Sequence, residues 1–161
     1  MSIFSDINPE GSASPAFHRD RWPAILTSME IKHGIDDDGD CFADWDTARV
    51  FFEGRGKNAE ILVVRGIWDF HPPASAYEKV ALFTCQWNAT HLWPRASVHK
   101  YPEDDECLVF GDLIIDCETG VDDEFVRQQV RCALSTIFEM FEEAGKAFPE
   151  HTGWHNVGAD S

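Results

Sequence analysis

The sequence predicts an α+β fold: an antiparallel five-stranded sheet with helices packed on it, in the order α-β-β-β-α-β-β-α. Strand-like runs rich in aromatic and β-branched residues occur in two groups, three before a middle helix and two after it. The turns within each group are short, which favours antiparallel pairing. Strands and helices do not alternate one by one, so a parallel doubly wound sheet is disfavoured.

The chain of 161 residues suits one domain with a sizeable core. We expect that domain to span residues 17–149. Residues 1–16 are rich in Ser, Pro, Gly and Asn and predict a flexible N-terminal arm, and residues 150–161, rich in Gly, His and Asn, predict a flexible C-terminal tail.

The first helix is predicted over residues 17–33. Its apolar residues recur at helical spacing, and Pro23 suits the first turn. Gly34 is a good C-terminal stop. Three strands are then predicted over residues 41–45, 48–53 and 60–70. In the third of these, Gly66 leaves room for an aromatic neighbour.

The middle helix is predicted over residues 75–91, after the strand-ending Pro72 and Pro73. Apolar side chains at intervals of three and four predict a buried stripe that ends at His91, so this histidine is interpreted as a core residue. Leu82 and Cys85 widen the stripe, and we expect the helix to be covered on more than one side.

A second hairpin is predicted over residues 95–101 and 107–117, with Cys107 and Cys117 on one core-facing side. The last helix has the strongest local signals. Asp122 is a suitable N-cap, an apolar stripe follows over about four turns, and Gly145 and Pro149 predict its end.

The charge of the chain excludes several partners. Asp and Glu outnumber Lys and Arg by 29 to 13, for a formal net charge of -16. A surface this acidic repels phosphate backbones and anionic lipids, so we expect no nucleic-acid and no membrane partner. The N-terminal residues show no signal-peptide pattern and no apolar run approaches the roughly 20 residues that span a bilayer, which predicts a cytoplasmic protein.

No motif specifies a chemistry. The acidic run 36–40 fails the EF-hand register, because a glycine is needed at the sixth position and Gly39 is the fourth. This leaves an acidic turn, with a weak cation site as the alternative. His151 and His155 are interpreted as tail residues, and the five cysteines contain no CxxC pair, so we expect reduced thiols that pack as small hydrophobes. We predict no catalytic, cofactor-binding or metal-binding residue.

The remaining candidate site is a cluster around four tryptophans: Trp45, Trp68, Trp87 with its neighbour Asn88, and Trp93. Two interpretations stay open. The cluster is either core packing or part of a groove that binds a protein partner, since tryptophan-rich patches favour recognition. Asn88 is expected to hold backbone groups of the turn that follows the helix.

These residues resemble the YbjN family of bacterial proteins, described as sensory transduction regulators. The likeness covers residues 17–148 and rests on Trp87-Asn88, the 93–96 segment Trp-Pro-Arg-Ala, the acidic end of the last strand at 112–117, and Gly120-Val121-Asp122. The segment 63–68 is similar to actinobacterial members. The resemblance implies the fold of type III secretion chaperones, commonly dimeric, and it supplies no catalytic residue.

The sequence therefore leads to a non-enzymatic, chaperone-like or regulatory module that binds a protein partner as a homodimer. A second hypothesis is a small-molecule or metal-binding sensor or enzyme with a cavity between the second helix and the sheet. A third is a structural subunit of a larger assembly.

Overall fold

The computed structural model describes residues 14–152, and the side chains of residues 14–150 within that range. The elements are, in order, α1 (Trp22–Ser28), β1 (Gly34–Ile35), β2 (Cys41–Trp45), β3 (Ala48–Arg55), β4 (Ile61–Trp68), α2 (Tyr77–Thr90), β5 (Arg95–Tyr101), β6 (Glu106–Asp116), α3 (Asp123–Ala147) and the single turn α4 (Pro149–Thr152). The predicted α+β class and the antiparallel sheet are confirmed. The prediction of five strands is wrong, because the sheet has six.

The six strands lie in the order β1-β2-β3-β4-β6-β5, and every neighbouring pair is antiparallel. The additional strand, β1, is two residues long and pairs Gly34 with Phe42 and Ile35 with Cys41. A two-residue strand has no periodicity of its own. β1 forms because the edge of β2 supplies backbone hydrogen-bonding partners. The local sequence therefore contains no pattern that predicts it.

The first helix is much shorter than predicted. A 3-10 turn over Arg19–Arg21 leads into α1, which ends at Ser28. Glu30 then adopts a positive φ of 59°. The amide of Ile31 donates to the carbonyl of Leu26 at 3.0 Å and that of Glu30 to Thr27 at 3.0 Å. This is a Schellman-type ending with Glu30 in the position that glycine usually takes, so the predicted stop at Gly34 is wrong.

The helices pack on one face of the sheet, and the core lies between the helices and that face. Trp22 of α1 contacts Phe52 of β3 edge-on, with ring centroids 5.4 Å apart. Helix α3 crosses the centre of the sheet at Gly66, where an added Cβ would lie 2.5 Å from Cγ2 of Ile137 and 3.1 Å from Phe141. The prediction that Gly66 makes room for an aromatic neighbour is therefore correct.

The opposite face of the sheet is called the open face here. Side chains alternate along each strand, so the residues of β4 that do not meet the helices, among them Arg65 and Ile67, point to it. Both are only partly buried, whereas Val64 and Trp68 on the helix face are buried. Among the described residues, the strand register places four arginines on this face: Arg49, Arg55, Arg65 and Arg95.

Helix α2 is covered on one side only, contrary to expectation. Its buried residues are Val80, Thr84 and Trp87. Leu82 is 58% exposed and Cys85 is exposed as well. The helix lies along β5, at the margin of the sheet, and no second layer covers its outer side chains among the described residues. Apolar content alone overstated its burial.

Helix α3 begins as predicted. Asp122 is its N-cap, and its carboxylate accepts a hydrogen bond from the amide of Phe125 at 2.7 Å. Gly145 does not end the helix. It is buried inside the last turn, and the helix continues to Ala147 before Pro149 starts α4.

The predicted flexible segments fall mostly outside the described residues. Of the arm 1–16, residues 14–16 are described, and the carbonyl of Pro15 accepts a hydrogen bond from the amide of Val121 at 3.0 Å. Of the tail 150–161, residues 150–152 belong to α4. The interpretation of His155 lies outside the described residues, and the side chain of His151 does too.

Candidate functional site

The structure divides the predicted tryptophan cluster into two groups. Trp45 and Trp68 come together through the sheet register, because both pair with Ala48, from β2 and from β4. Trp87, Asn88 and Trp93 lie at the corner between α2 and β5 instead. The first group borders an open cleft, and the second is a packing corner.

The cleft between the ends of β2 to β4 and the C-terminal half of α3 is called the aromatic cleft. It has a volume of about 410 Å³. Its lining comprises Trp45, Asp46, Thr47, Trp68, Phe70, Phe138, Phe141, Glu142 and Gly145. Five of these nine residues are aromatic, which makes the walls rigid and apolar.

The aromatic rings of the cleft hold one another in place. Trp45 meets Phe138 edge-on with centroids 5.4 Å apart, so the last residue of β2 is fixed against α3. Trp68 stacks on Phe141 at 6.3 Å with an interplanar angle of 14°, and it meets Phe70 edge-on at 5.6 Å. Trp68 is only 1% exposed and forms the floor, whereas Trp45 is partly exposed at the mouth.

The rim of the aromatic cleft is acidic. Asp46 and Glu142 line it, and its lining contains no Lys or Arg. Glu142 pairs with Lys146 at 3.0 Å, and the same Lys146 also pairs with Glu143 at 2.8 Å. Asp46 is exposed and has no salt-bridge partner within the described part of the chain. The rim therefore carries net negative charge above an apolar floor.

At the corner between α2 and β5, two side chains bind the backbone of the turn. The indole nitrogen of Trp87 donates to the carbonyl of Pro94 at 3.1 Å. The amide of Asn88 bonds both backbone groups of Ala96: Nδ2 donates to the carbonyl at 2.9 Å and Oδ1 accepts from the amide at 2.8 Å. The Trp93–Pro94 peptide bond is cis, and Trp93 is 50% exposed.

The expectation of a buried His91 is wrong. This residue is exposed and caps the C-terminal end of α2. Its ring stacks on Trp87 with centroids 3.7 Å apart and an interplanar angle of 1°. Helical spacing placed it on the buried stripe, but the helix ends at Thr90 and the backbone turns away before His91 reaches the core.

Sequence reasoning missed a second concave site, on the open face. Arg65 of β4 and Arg95 of β5 both bind the carboxylate of Asp112 on β6, whose side chain is 1% exposed. The signal in the sequence is limited to an Arg on each of β4 and β5 and an Asp in the middle of β6. The register that pairs Asp112 with both arginines is not visible before the strands are aligned.

The buried thiols and the acidic run outside these two sites have structural roles. Burial raises the pKa of the Cys41, Cys107 and Cys117 thiols, so these keep their protons and pack as hydrophobes. Cys85 was expected to be buried but is exposed.

The acidic run 36–40 forms a turn in which the Asp36 carboxylate accepts hydrogen bonds from the amides of Asp38 and Asp40 at 3.0 Å and 2.9 Å.

Within residues 14–152, no three or more His, Cys, Asp and Glu side chains are grouped so as to hold a metal ion. None of the helices described there combines the length and apolar character required to cross a membrane.

Comparison with known proteins gives the family. The model of the YbjN family, described as "Putative bacterial sensory transduction regulator", matches residues 18–146. A crystal structure of YbjN from E. coli, described as "a putative transcription regulator", superposes with a TM-score of 0.72 at 15% sequence identity, covering 83% of this chain and 96% of that one. Among curated proteins, no significant match exists. At 15% identity the E. coli structure shows the likeness of the fold alone. The family model spans most of the chain, and the chain therefore belongs to the YbjN family.

Proposed function

We propose that this protein is a regulatory module that acts by binding a protein partner, without catalysis, in the cytoplasm. The observation that carries the proposal is the aromatic cleft. The family description as a regulator supports the same class of function. The resemblance to the YbjN family implies the fold of type III secretion chaperones, and on that ground we propose that the bound partner is a segment of a protein chain.

The cleft has the features of an anchor pocket for one apolar side chain. Its walls are rigid aromatic rings that need no rearrangement, and its floor is the buried Trp68. Rigid aromatic pockets of this kind carry most of the energy in many protein interfaces, because an inserted side chain is fully desolvated. Trp45 at the mouth supplies further apolar area to the residue that enters.

The charge of the rim indicates what flanks the anchor residue. Asp46 and Glu142 line an apolar cavity in a chain of net charge -16. A partner segment with Lys or Arg beside the anchor gains from this charge, and an acidic segment is repelled. We therefore propose a partner segment in which a large apolar residue is flanked by basic residues.

The test is binding of fluorescein-labelled peptides, each with a central Phe or Leu flanked by either Lys or Glu, measured by fluorescence anisotropy. We expect the Lys-flanked peptides to bind and the Glu-flanked ones to fail. Trp45→Ala should weaken binding about tenfold or more. Trp93→Ala is the matched control, since it removes a half-exposed tryptophan outside the cleft. Equal losses in both variants, or no binding by any peptide, would reject the cleft as the docking site.

A second candidate function is favoured by the size of the same cleft. A volume of about 410 Å³ falls in the range of roughly 300–1,000 Å³ typical of small-molecule pockets. This sensor function was expected in a cavity between the second helix and the sheet, whereas the cleft lies beside α3. Native mass spectrometry distinguishes the two candidates: a bound small molecule that Trp45→Ala releases supports the sensor, and a clean protein mass supports the peptide-binding module.

We also propose that the protein works as a homodimer, as the type III secretion chaperone resemblance implies. Light scattering at several protein concentrations tests this proposal independently of the cleft. A mass of one chain at every concentration would refute it.

A further inference from the structure

We propose that the open face of the sheet contains a carboxylate-binding site centred on Arg95. It is separate from the aromatic cleft and does not depend on the function proposed for that cleft. The site is a concavity of about 440 Å³ at the β5 margin of the sheet. It is lined by Arg65, Arg95, Ser97, His99, Tyr101, Phe110 and Asp112.

Strand alternation builds this concavity. Arg95, Ser97, His99 and Tyr101 occupy every second position of β5, so all four side chains point to the open face. Across the sheet, Arg95 pairs with Asp112 of β6, and Asp112 pairs with Arg65 of β4. Polar donors therefore converge from two strands on one buried carboxylate.

The Asp112 carboxylate fixes both guanidinium groups. Arg65 donates from Nε to Oδ1 at 2.8 Å and from Nη2 to Oδ2 at 3.4 Å. Arg95 donates only from Nη2, to Oδ2 at 2.7 Å. Its other N–H groups make no hydrogen bond to any described residue, and its side chain is 62% exposed. Arg95 is thus held in position by one hydrogen bond, and its remaining N–H groups are available to a ligand.

The ratio of charges distinguishes this cluster from the other ion pairs of the open face. Arg49 pairs one-to-one with Asp44, at 2.6 Å, and Arg55 one-to-one with Glu53, at 2.6 Å. Arg65 and Arg95 share the single carboxylate of Asp112, so guanidinium groups outnumber carboxylates two to one in this ion-pair cluster.

The ligand class follows from the donors. A guanidinium presents parallel N–H groups that match the two oxygens of a carboxylate, and this pairing is stronger than a neutral hydrogen bond. The half-buried ring of Phe110 supplies an apolar wall, packed edge-on against His99 at 5.0 Å. The site therefore suits a carboxylate attached to an apolar or aromatic body, either a free small acid or the C-terminal residue of a peptide.

The experiment is an NMR titration of the ¹⁵N-labelled protein with benzoate, with benzamide as the uncharged analogue of the same shape. We expect benzoate to shift the amide signals of β5 and β6, and benzamide to leave them unchanged. Arg95→Ala should weaken benzoate binding about tenfold, the loss of one charge-assisted hydrogen-bonding partner. Arg65 still neutralises Asp112 in that variant, and a thermal melt checks that it is folded.

Arg49→Ala is the matched control, because it removes an arginine from the same face outside the concavity, and it should bind benzoate as the unchanged protein does. N-acetyl-Gly-Phe with a free carboxyl group, compared with its amidated form, then identifies the source: binding of the free peptide acid indicates a peptide C-terminus, and binding of benzoate alone indicates a small acid. The proposal is overturned if benzoate causes no shifts, if benzamide matches it, if inorganic phosphate binds equally well, or if Arg49→Ala and Arg95→Ala lose equally.

Discussion

Asn88 offers the sharpest test of how the α2–β5 corner is held. Its side chain behaves like a peptide group placed beside β5, since it satisfies both the amide and the carbonyl of Ala96. Two substitutions probe it differently. Asn88→Ala removes both hydrogen bonds, whereas Asn88→Asp keeps the shape and replaces the donor with a second acceptor.

The expected losses can be estimated from the two bonds. Asn88 is an exposed residue, so each hydrogen bond contributes about 0.5–1 kcal/mol net, and Asn88→Ala should lower the free energy of unfolding by about 1–2 kcal/mol. In Asn88→Asp, a carboxylate oxygen would stand at the position of Nδ2, 2.9 Å from the carbonyl oxygen of Ala96. Two acceptors then face each other, and the loss at neutral pH should exceed that of Asn88→Ala by up to about 1 kcal/mol, because the exposed carboxylate is partly solvated.

The pH dependence separates the two variants. In its protonated form the new carboxyl can donate to the Ala96 carbonyl, so folding favours protonation and the folded-state pKa lies above the ordinary aspartic value of about 3.9. The hydrogen bond is therefore fully available below the ordinary value and is lost as pH rises through the raised one. Urea denaturation of both variants and the unchanged protein, at neutral and acid pH, measures this.

We expect Asn88→Asp to approach the unchanged protein at acid pH, while the deficit of Asn88→Ala stays constant. If the two variants lose the same free energy at both pH values, the side chain does not hold Ala96 as described. A loss below about 0.5 kcal/mol in Asn88→Ala would likewise contradict the reasoning.

Three further predictions concern stability and use the same urea titrations. Gly66→Ala should cost about 1–3 kcal/mol, because its methyl group would lie 2.5 Å from Ile137; an unchanged midpoint would show that α3 can move away. Trp87→Ala should cost about 3–5 kcal/mol, and a cost under about 1 kcal/mol would contradict its burial. Burial of Asp40, and after it the negative charge of Glu53, raises the pKa of the Asp40 carboxyl above its ordinary value. Ionisation of Asp40 therefore costs stability as pH rises from the ordinary value through the raised one. Asp40→Asn should therefore stabilise by up to about 0.5 kcal/mol at neutral pH and by less at acid pH, and equal effects at both would refute this.

Local signals predicted α3 well and α1 badly, for different reasons. The N-cap of α3 and its apolar spacing act within one turn of the chain, so they are readable in sequence. Helix α1 ends because Glu30 accepts a positive φ that glycine usually takes. The bonds that close the turn stabilise this conformation, and no residue type at that position signals it.

The predicted tryptophan cluster also divides into a part set by a short connection and a part set by the register between strands. Trp87 and Asn88 bind backbone groups seven and eight residues further along the chain, so their grouping follows from a short connection. Trp45 and Trp68 are 23 positions apart in the sequence. They line the same cleft because β3 places Ala48 opposite both, and this depends on the register between strands.

The sequence by itself determined the α+β class, the main order of helices and strands, and the family, because these follow from periodicity, turn residues and local motifs. The sixth strand, the one-sided burial of α2, the aromatic cleft and the two arginines on Asp112 were decided by tertiary structure. Each depends on which strands are neighbours and in what register. That pairing is set by the packing of the whole core, and no local stretch of the chain contains it.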